Sequence, residues 1–317
     1  MRKGSKILCP IDFSEGSDYA MLCANHLAQH LEAEVHCVHV IDPSPYAHMI
    51  EGVYVSAGSV KATIESIEKH TQAEFEKRLH KYELMHLQPQ GHFLHGKPAQ
   101  EIVALAEKLN ADYIMITTHG RSGFDALVSG STSIKIVRLS HIPVITLKHP
   151  EHSISEEART LQFQRILCPL DFSDFSKKAL DTAVDICQEF GGTLVLAHAV
   201  DTRLEYPMLE PGMGIQDSLH REEDARNYLE TIAAEIKDVF TEIRVVIGSP
   251  YRELVALMKD EDIDLVVMTT HGYRGLSHIL LGSNAERLVR LAPCPVLTIH
   301  PDQESKKMHN AVEETAH

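Results

Sequence analysis

The feature that most constrains this chain is an internal repeat. Ile7-Leu8-Cys9-Pro10-Ile11-Asp12-Phe13-Ser14 returns as Ile166-Leu167-Cys168-Pro169-Leu170-Asp171-Phe172-Ser173, and His39 returns at the same offset as His198. Further along the offset shortens. Thr117-Thr118-His119-Gly120 then matches Thr269-Thr270-His271-Gly272, Gly130-Ser131 matches Gly282-Ser283, and Pro143-Val144 matches Pro295-Val296. The second copy is therefore the shorter one between its second and third strands. A unit repeated in this way is one supersecondary arrangement built twice. A chain of 317 residues has room for two domains at roughly 150 residues each.

Within one copy, short apolar runs alternate with helical patterns. In the first copy residues 6–11 read as a strand that is apolar on both faces, as a central parallel strand is. Residues 15–31 read as a helix and 34–40 as the second strand. After a loop with Pro43 and Pro45, residues 60–87 read as a long polar helix and 90–95 as the third strand. Gly96-x-Pro98 then opens a helix with proline in its first turn and Ile102, Leu105, Ala106 and Leu109 on one stripe. Residues 113–117 make strand four, 131–139 a short helix and 144–148 strand five. The second copy repeats this with strands at 165–170, 193–199, 242–247, 265–269 and 296–300. Strands alternating with helices predict an α/β fold: parallel sheets covered by helices on both faces, with right-handed crossovers. The expected division is a first domain over 1–148, a polar linker over 149–164, a second domain over 165–300 and a frayed tail over 301–317.

Composition removes several function classes. The net charge of −15, with no Lys/Arg run, argues against nucleic-acid or anionic-membrane binding. No stretch of 18 apolar residues occurs, and the first apolar run is too short for a signal-peptide core, so the expected location is the cytoplasm. Cys9, Cys23, Cys37, Cys168, Cys187 and Cys294 form no C-x-x-C pair and lie mostly in apolar runs, which favours buried thiols over disulfides or metal ligands. The 21 histidines raise a metal hypothesis through His26/His30 and His36/His39, but no H-E-x-x-H or clustered Cys/His spacing supports it. No G-x-S-x-G elbow, Walker loop or G-x-G-x-x-G follows a strand, so nucleophilic, P-loop and dinucleotide readings are poor.

The segment after strand four carries the chemistry. In the second copy it reads Thr269-Thr-His-Gly272-Tyr-Arg-Gly275, then six residues, then Gly282-Ser283-Asn284-Ala285-Glu286. In the first it reads Thr117-Thr-His-Gly120-Arg-Ser-Gly123, six residues, then Gly130-Ser131-Thr132-Ser133. Glycine lets backbone approach a bulky anion closely, and a helix starting right after Gly-Ser presents free N–H groups and a positive dipole end. His119 or His271 and Arg121 or Arg274 add donors. Asp12 and Asp171, just past strand one, are placed to accept from ribose hydroxyls at the carboxyl edge of the sheet. Ser283-x-x-Glu286 has a second reading as a capping box that serves only its own helix.

The paired Pro-x-Asp segments and Gly-x9-Gly-Ser spacings, over nearly the whole chain, resemble the tandem-domain form of the universal stress proteins. ATP-binding members of that family carry Gly-x2-Gly-x9-Gly-Ser/Thr. Here Thr117 and Thr269 replace the first glycine in both copies. The resemblance implies five-stranded sheets of order 3-2-1-4-5, intramolecular pairing of the two domains through their fifth strands, and a homodimer as a further option. It implies ATP or a related adenine nucleotide as the ligand, with Mg²⁺ as an optional companion. In the second copy the implied site residues are Pro169, Leu170, Asp171, Ala199, Met268, Thr269, Gly272, Gly282, Ser283, Asn284 and Ala285. In the first they are Pro10, Ile11, Asp12, Val40, Ile116, Thr117, Gly120, Gly130, Ser131, Thr132 and Ser133. The family's adenine-contacting valine is matched by Val40, but by Ala199 in the second copy. The second copy keeps Ser-x-x-Glu, whereas the first has Ile134 in place of Glu286 and Asp125 in its loop, which favours the second site. The implied role is stress response by nucleotide sensing. The alternatives are a non-binding interaction module and a weak ATPase, for which no catalytic base is identified, so no enzyme is expected.

Overall fold

The computed structural model describes residues 1–42, 44, 57–85, 87–118, 132–148, 161–201, 213–270 and 281–300. The chain divides into two compact units, one of Arg2–Ile142, the other beginning with Pro143–Lys148 and continuing from Leu161.

In the first unit the described elements are β1 (Lys6–Pro10), α1 (Glu15–Leu31), β2 (Glu34–Ile41), α2 (Ala57–Leu84), β3 (Gln90–His95), α3 (Pro98–Lys108), β4 (Tyr113–Thr117) and α4 (Thr132–Leu139). The strands lie in the order β3-β2-β1-β4, all parallel. β1 and β4 are buried almost throughout because helices cover the sheet on both faces. Ser14 caps α1, its Oγ accepting from Ser17 N at 3.1 Å, and the helix ends at Glu32 in the left-handed region (φ 51°). α2 is fastened to α1 through one carboxylate. Asp18 accepts from Tyr82 Oη at 2.6 Å, Lys81 Nζ at 2.9 Å and Arg78 at 2.5 Å. α2 starts and stops three residues earlier than its polar pattern suggested. Leu87, expected as the last residue of the helix, instead folds beneath the helix end, buried, with its N–H on Tyr82 O at 2.9 Å. Gly96, at φ +138°, turns the chain from β3 into α3. A Cβ there would lie 2.7 Å from Glu101 Oε1, so only glycine fits this turn.

The second unit contains β5 (Val144–Leu147), β6 (Arg165–Pro169), α5 (Asp174–Phe190), β7 (Thr193–Val200), α6 (Met213–Glu235), β8 (Thr241–Ile247), α7 (Pro250–Asp260), β9 (Leu265–Thr269), α8 (Ser283–Leu291) and β10 (Val296–Ile299). Its strand order is β5-β10-β9-β6-β7-β8. Counted within the second copy, that is 3-2-1-4-5, as the resemblance implied. The first copy runs third-second-first-fourth inside its own unit, while its fifth strand, β5, belongs to the second. There β5 pairs antiparallel with β10, Ile145 opposite Leu297. Thr146 Oγ1 donates to Val296 O and Thr298 Oγ1 to Val144 O, each at 3.2 Å, so both buried hydroxyls close onto the partner strand.

Details of the first copy recur. Ser173 caps α5 as Ser14 caps α1, and Gly248 (φ +142°) repeats Gly96. The expected linker ran to residue 164, but its last residues are core. Phe163 is 1% exposed and meets Phe190 edge-on at 4.8 Å. Composition marked the segment as polar, and a single large aromatic in it outweighed its neighbours. Residues 149–160 of that linker and the tail 301–317 lie outside the described residues. All six cysteines are free and buried.

Candidate functional site

Each copy ends its first strand with the same construction. In the second copy β6 stops at Pro169, Leu170 N still donates to Ala197 O at 2.8 Å, and the chain turns at Phe172 (φ 63°). Asp171 Oδ1 accepts from Ser173 N at 3.1 Å and Ser173 Oγ at 2.6 Å, so one carboxylate oxygen holds the turn that starts α5. His198, near the end of β7, shares a 2.7 Å hydrogen bond between Nδ1 and Leu170 O. Its ring stacks on Phe172 at 4.1 Å, with Tyr228 against the other ring at 4.5 Å. Burial lowers the His198 pKa against the opposing pull of Leu170 O and Asp171, so the ring stays neutral, with Nδ1–H donating to the carbonyl.

The first copy repeats this arrangement. Asp12 Oδ1 accepts from Ser14 N at 3.1 Å and Ser14 Oγ at 2.5 Å, Phe13 has φ 65°, and His39 Nδ1 lies 2.8 Å from Ile11 O. His39 stacks on Phe13 at 4.3 Å and approaches Phe93 at 5.8 Å. The histidine therefore ties the end of strand two to the residue preceding the aspartate. The repeat pointed to His39 and His198; the two phenylalanines were missed. Their signal was the repeated Asp-Phe-Ser, in which a bulky residue takes a positive φ that only a strong local contact sustains.

The start of α8 supplies the other half of the second-copy site. Gly282 N donates to Thr270 O at 3.0 Å, and Thr270 N to Ile299 O at 3.0 Å, so the chain re-enters the fold beside the end of β9. The first helical hydrogen bond is Glu286 N to Gly282 O at 2.9 Å. The amides of Ser283, Asn284 and Ala285 thus precede the helical ladder and find no partner within the helix. Gly282 is the N-cap residue and makes no side-chain cap bond. The capping-box reading is corrected here. Ser283 is already the first helical residue, one place beyond where a capping serine sits, and Glu286 Oε1 accepts from Arg290 Nη2 at 3.0 Å. Proximity of Ser and Glu in sequence could not reveal that one-residue register.

Gly282 itself is informative. Its φ of −59° and ψ of 140° suit any residue, and a Cβ would meet Thr270 O at 3.5 Å and Ala285 Cβ at 3.9 Å, which are ordinary contacts. Among the described residues, nothing around this point requires glycine.

The remaining predicted positions are distributed as follows. Pro169, Leu170, Asp171, Ala199, Met268 and Thr269 stand at the carboxyl ends of β6, β7 and β9. Met268 is buried, Ala199 half-buried and Asp171 exposed. Pro10, Ile11, Asp12, Val40, Ile116 and Thr117 stand at the matching ends of β1, β2 and β4, and Thr132 and Ser133 open α4. The registers Pro10 opposite Val38 and Pro169 opposite Ala197 bring the first two strand ends side by side in each copy. Gly120, Gly130, Ser131 and Gly272 lie outside the described residues, as do His119, His271, Arg121, Arg274 and Asp125. Among the described residues no cluster of three His, Cys, Asp or Glu side chains forms a metal site, and no helix is long and apolar enough to cross a membrane.

The universal stress protein family model matches residues 4–148 and again residues 162–300. The chain belongs to the universal stress protein family. A universal stress protein of Methanocaldococcus jannaschii is 31% identical over 149 residues, spanning 46% of this chain and 83% of that relative. A second one from the same organism is 28% identical over 156 residues, 44% of this chain and 96% of the relative. Each of these covers less than half of the chain. At full length, the crystal structure of a universal stress protein from Archaeoglobus fulgidus superposes with a TM-score of 0.63 at 20% identity, covering 94% of this chain and 97% of that one. That likeness shows the fold.

Proposed function

We propose that this universal stress protein binds an adenine nucleotide, ATP with Mg²⁺, and acts in the stress response as a sensor or regulator. The observation that carries the reading is Gly282. Among the described residues a Cβ there would make only ordinary contacts, so we read the glycine as serving something that approaches from outside, directly before three helix-start amides suited to a phosphate. In the second copy the phosphates would sit on Gly282, Ser283, Asn284 and Ala285, with Gly272 completing the loop. Asp171 would face the ribose, and Ala199, Met268 and Thr269 with Pro169 and Leu170 would line the base and sugar. The first copy offers Pro10, Ile11, Asp12, Val40, Ile116, Thr117, Gly120, Gly130, Ser131, Thr132 and Ser133 for the same roles.

The reading is of a binding protein in the cytoplasm, not an enzyme, since sequence motifs identify no catalytic base. It includes intramolecular pairing of the two copies through their fifth strands, supported by the β5–β10 ladder. Thr269, in place of the family's first glycine, favours the competing reading of an interaction module that holds no nucleotide. Mass spectrometry of small molecules released from the freshly purified protein, followed by calorimetric titration with ATP-Mg²⁺, separates the two. Released adenylate or saturable heat supports nucleotide binding. An empty protein that gives no heat leaves only the interaction module.

A further inference from the structure

At the amino ends of their first three strands the two copies fill equivalent positions with different chemistry. In the second copy Arg165 donates to Glu242 Oε1 at 3.0 Å and Glu261 Oε2 at 2.7 Å. Arg244 donates to the same two carboxylates, through Nη2 to Glu242 at 2.5 Å and through Nε to Glu261. Hydrogen bonding to Glu242 and Glu261 raises the pKa of both arginines, and hydrogen bonding to Arg165 lowers that of Glu242. These shifts keep Arg165, Arg244 and Glu242 charged as the pH falls from neutral to mildly acidic.

In the first copy the residue equivalent to Arg244 is His92, and Val195 is replaced by His36. His36 is 2% exposed. Its Nδ1 lies 3.0 Å from His92 Nε2, with the rings 5.3 Å apart. Its Nε2 is buried with no hydrogen-bond partner among the described residues, and Glu34 Oε2 is 3.7 Å away. The charged groups around the pair are Lys6 from β1, Glu34 from β2, and Lys108 from α3. Asp112 Oδ2 in turn accepts from Lys6 N at 2.9 Å.

A single proton fits between the two facing nitrogens, since one ring must donate and the other accept. The tautomer with His92 Nε2–H donating turns the His36 Nε2–H toward Glu34, which favours it over the reverse. One added proton is tolerated on the far nitrogen of His92. A second must go to His36 Nδ1. Two N–H groups then oppose each other at 3.0 Å, between two cationic rings in a buried place, and the contact is lost.

We propose that His36 and His92 form an acid-released latch that holds the terminal strand β3 on β2 in the first copy, opened when both facing ring nitrogens carry protons. The latch works whether or not a nucleotide is bound. Burial lowers the pKa of both rings, and for His92 the neighbouring His36 and Lys108 lower it further, so the open state takes up protons more readily than the closed one. The closing contribution is therefore complete above the ordinary histidine pKa of about 6.5 and is lost as pH falls below it. Only the first copy carries the pair, so acid loosens one half of the chain while the arginine-glutamate network holds the other.

Hydrogen exchange of the intact protein at about pH 7.5 and about pH 5, corrected for intrinsic rates, tests this across the histidine range. Amides of β3 should lose roughly fivefold or more of their protection relative to those of β8, the equivalent of one buried hydrogen bond. In the double variant His36→Gln, His92→Gln, whose amides bond without titrating, that differential loss should vanish. Equal loss from β3 and β8 would overturn the latch, and so would an undiminished differential in the double variant. If the variant does not fold, imidazole nitrogen NMR of the wild-type protein decides. Coupled titration of both rings below the ordinary value supports the latch, and two independent titrations at that value refute it.

Discussion

Replacing Gly282 with alanine separates a glycine kept for the fold from one kept for a ligand. The backbone angles at Gly282 are open to alanine, and among the described residues the added methyl would meet nothing nearer than Thr270 O at 3.5 Å. Alanine is a poorer N-cap than glycine by up to about 1 kcal/mol, while the narrower unfolded ensemble returns about 0.4–1 kcal/mol. Stability should therefore change by less than about 1 kcal/mol. A phosphate seated on the amides of Ser283, Asn284 and Ala285 would collide with the new methyl. Losing one charge-assisted hydrogen bond, about 1.5–3 kcal/mol, weakens binding roughly ten- to hundredfold. Calorimetric titration with ATP-Mg²⁺ reads the affinity, with stoichiometry separating any binding by the first copy, and urea unfolding reads the stability. Two results would refute the reasoning. One is an alanine variant that binds ATP as well as the wild type; the other is a variant destabilised by several kcal/mol, which would mean the glycine serves the fold after all.

Other expectations follow from the packing. Asp18→Asn removes the charge that gathers Arg78, Lys81 and Tyr82, and should lower stability by about 1.5–3 kcal/mol in urea unfolding. Burial alone would raise the Asp18 pKa, but the hydrogen bonds from Tyr82, Lys81 and Arg78 outweigh it and lower it. Its contribution should thus be complete above about pH 4 and fade as pH falls through the depressed folded value, a fading absent from Asp18→Asn. Gly192→Ala would place a Cβ 2.3 Å from Phe163 O, a backbone atom, so the turn into β7 must shift, at about 1–3 kcal/mol measured by thermal unfolding. Burial pushes Cys23, Cys37, Cys187 and Cys294 up to about 12 and raises Cys9 and Cys168 as well. A thiol reagent at mildly alkaline pH should label the native protein far more slowly than the denatured one.

The repeat and the alternation of apolar runs with helical stripes were enough to place the strands of both copies and the helices of the first, mostly within a residue or so at each end. Such signals are local, because they depend on side-chain period and on punctuation by Ser14, Pro98 and Gly96. They failed where a distant contact set the boundary. α2 ended early because Leu87 found a buried seat beneath it, and the linker ended early because Phe163 met Phe190. The site was half legible. Pro-x-Asp and Gly-Ser stand out in sequence because backbone turns restrict residue choice. That His198 clasps Leu170 while stacked on Phe172 depends on two strands being parallel neighbours.

By itself, then, the sequence determined that one α/β unit occurs twice, which positions lie at the carboxyl ends of its strands, and which family the chain belongs to. Only the tertiary structure decided that Gly282 is a helix cap where, among the described residues, a Cβ meets ordinary contacts, that Glu286 bonds Arg290, and that His36 shares a proton with His92. The Gly282 surroundings and the His36–His92 contact depend on distances that sequence separation does not encode, and the Glu286–Arg290 pair depends on where the helix starts. A shift of one residue or 1 Å reverses which groups are partnered and which are left to bind something else.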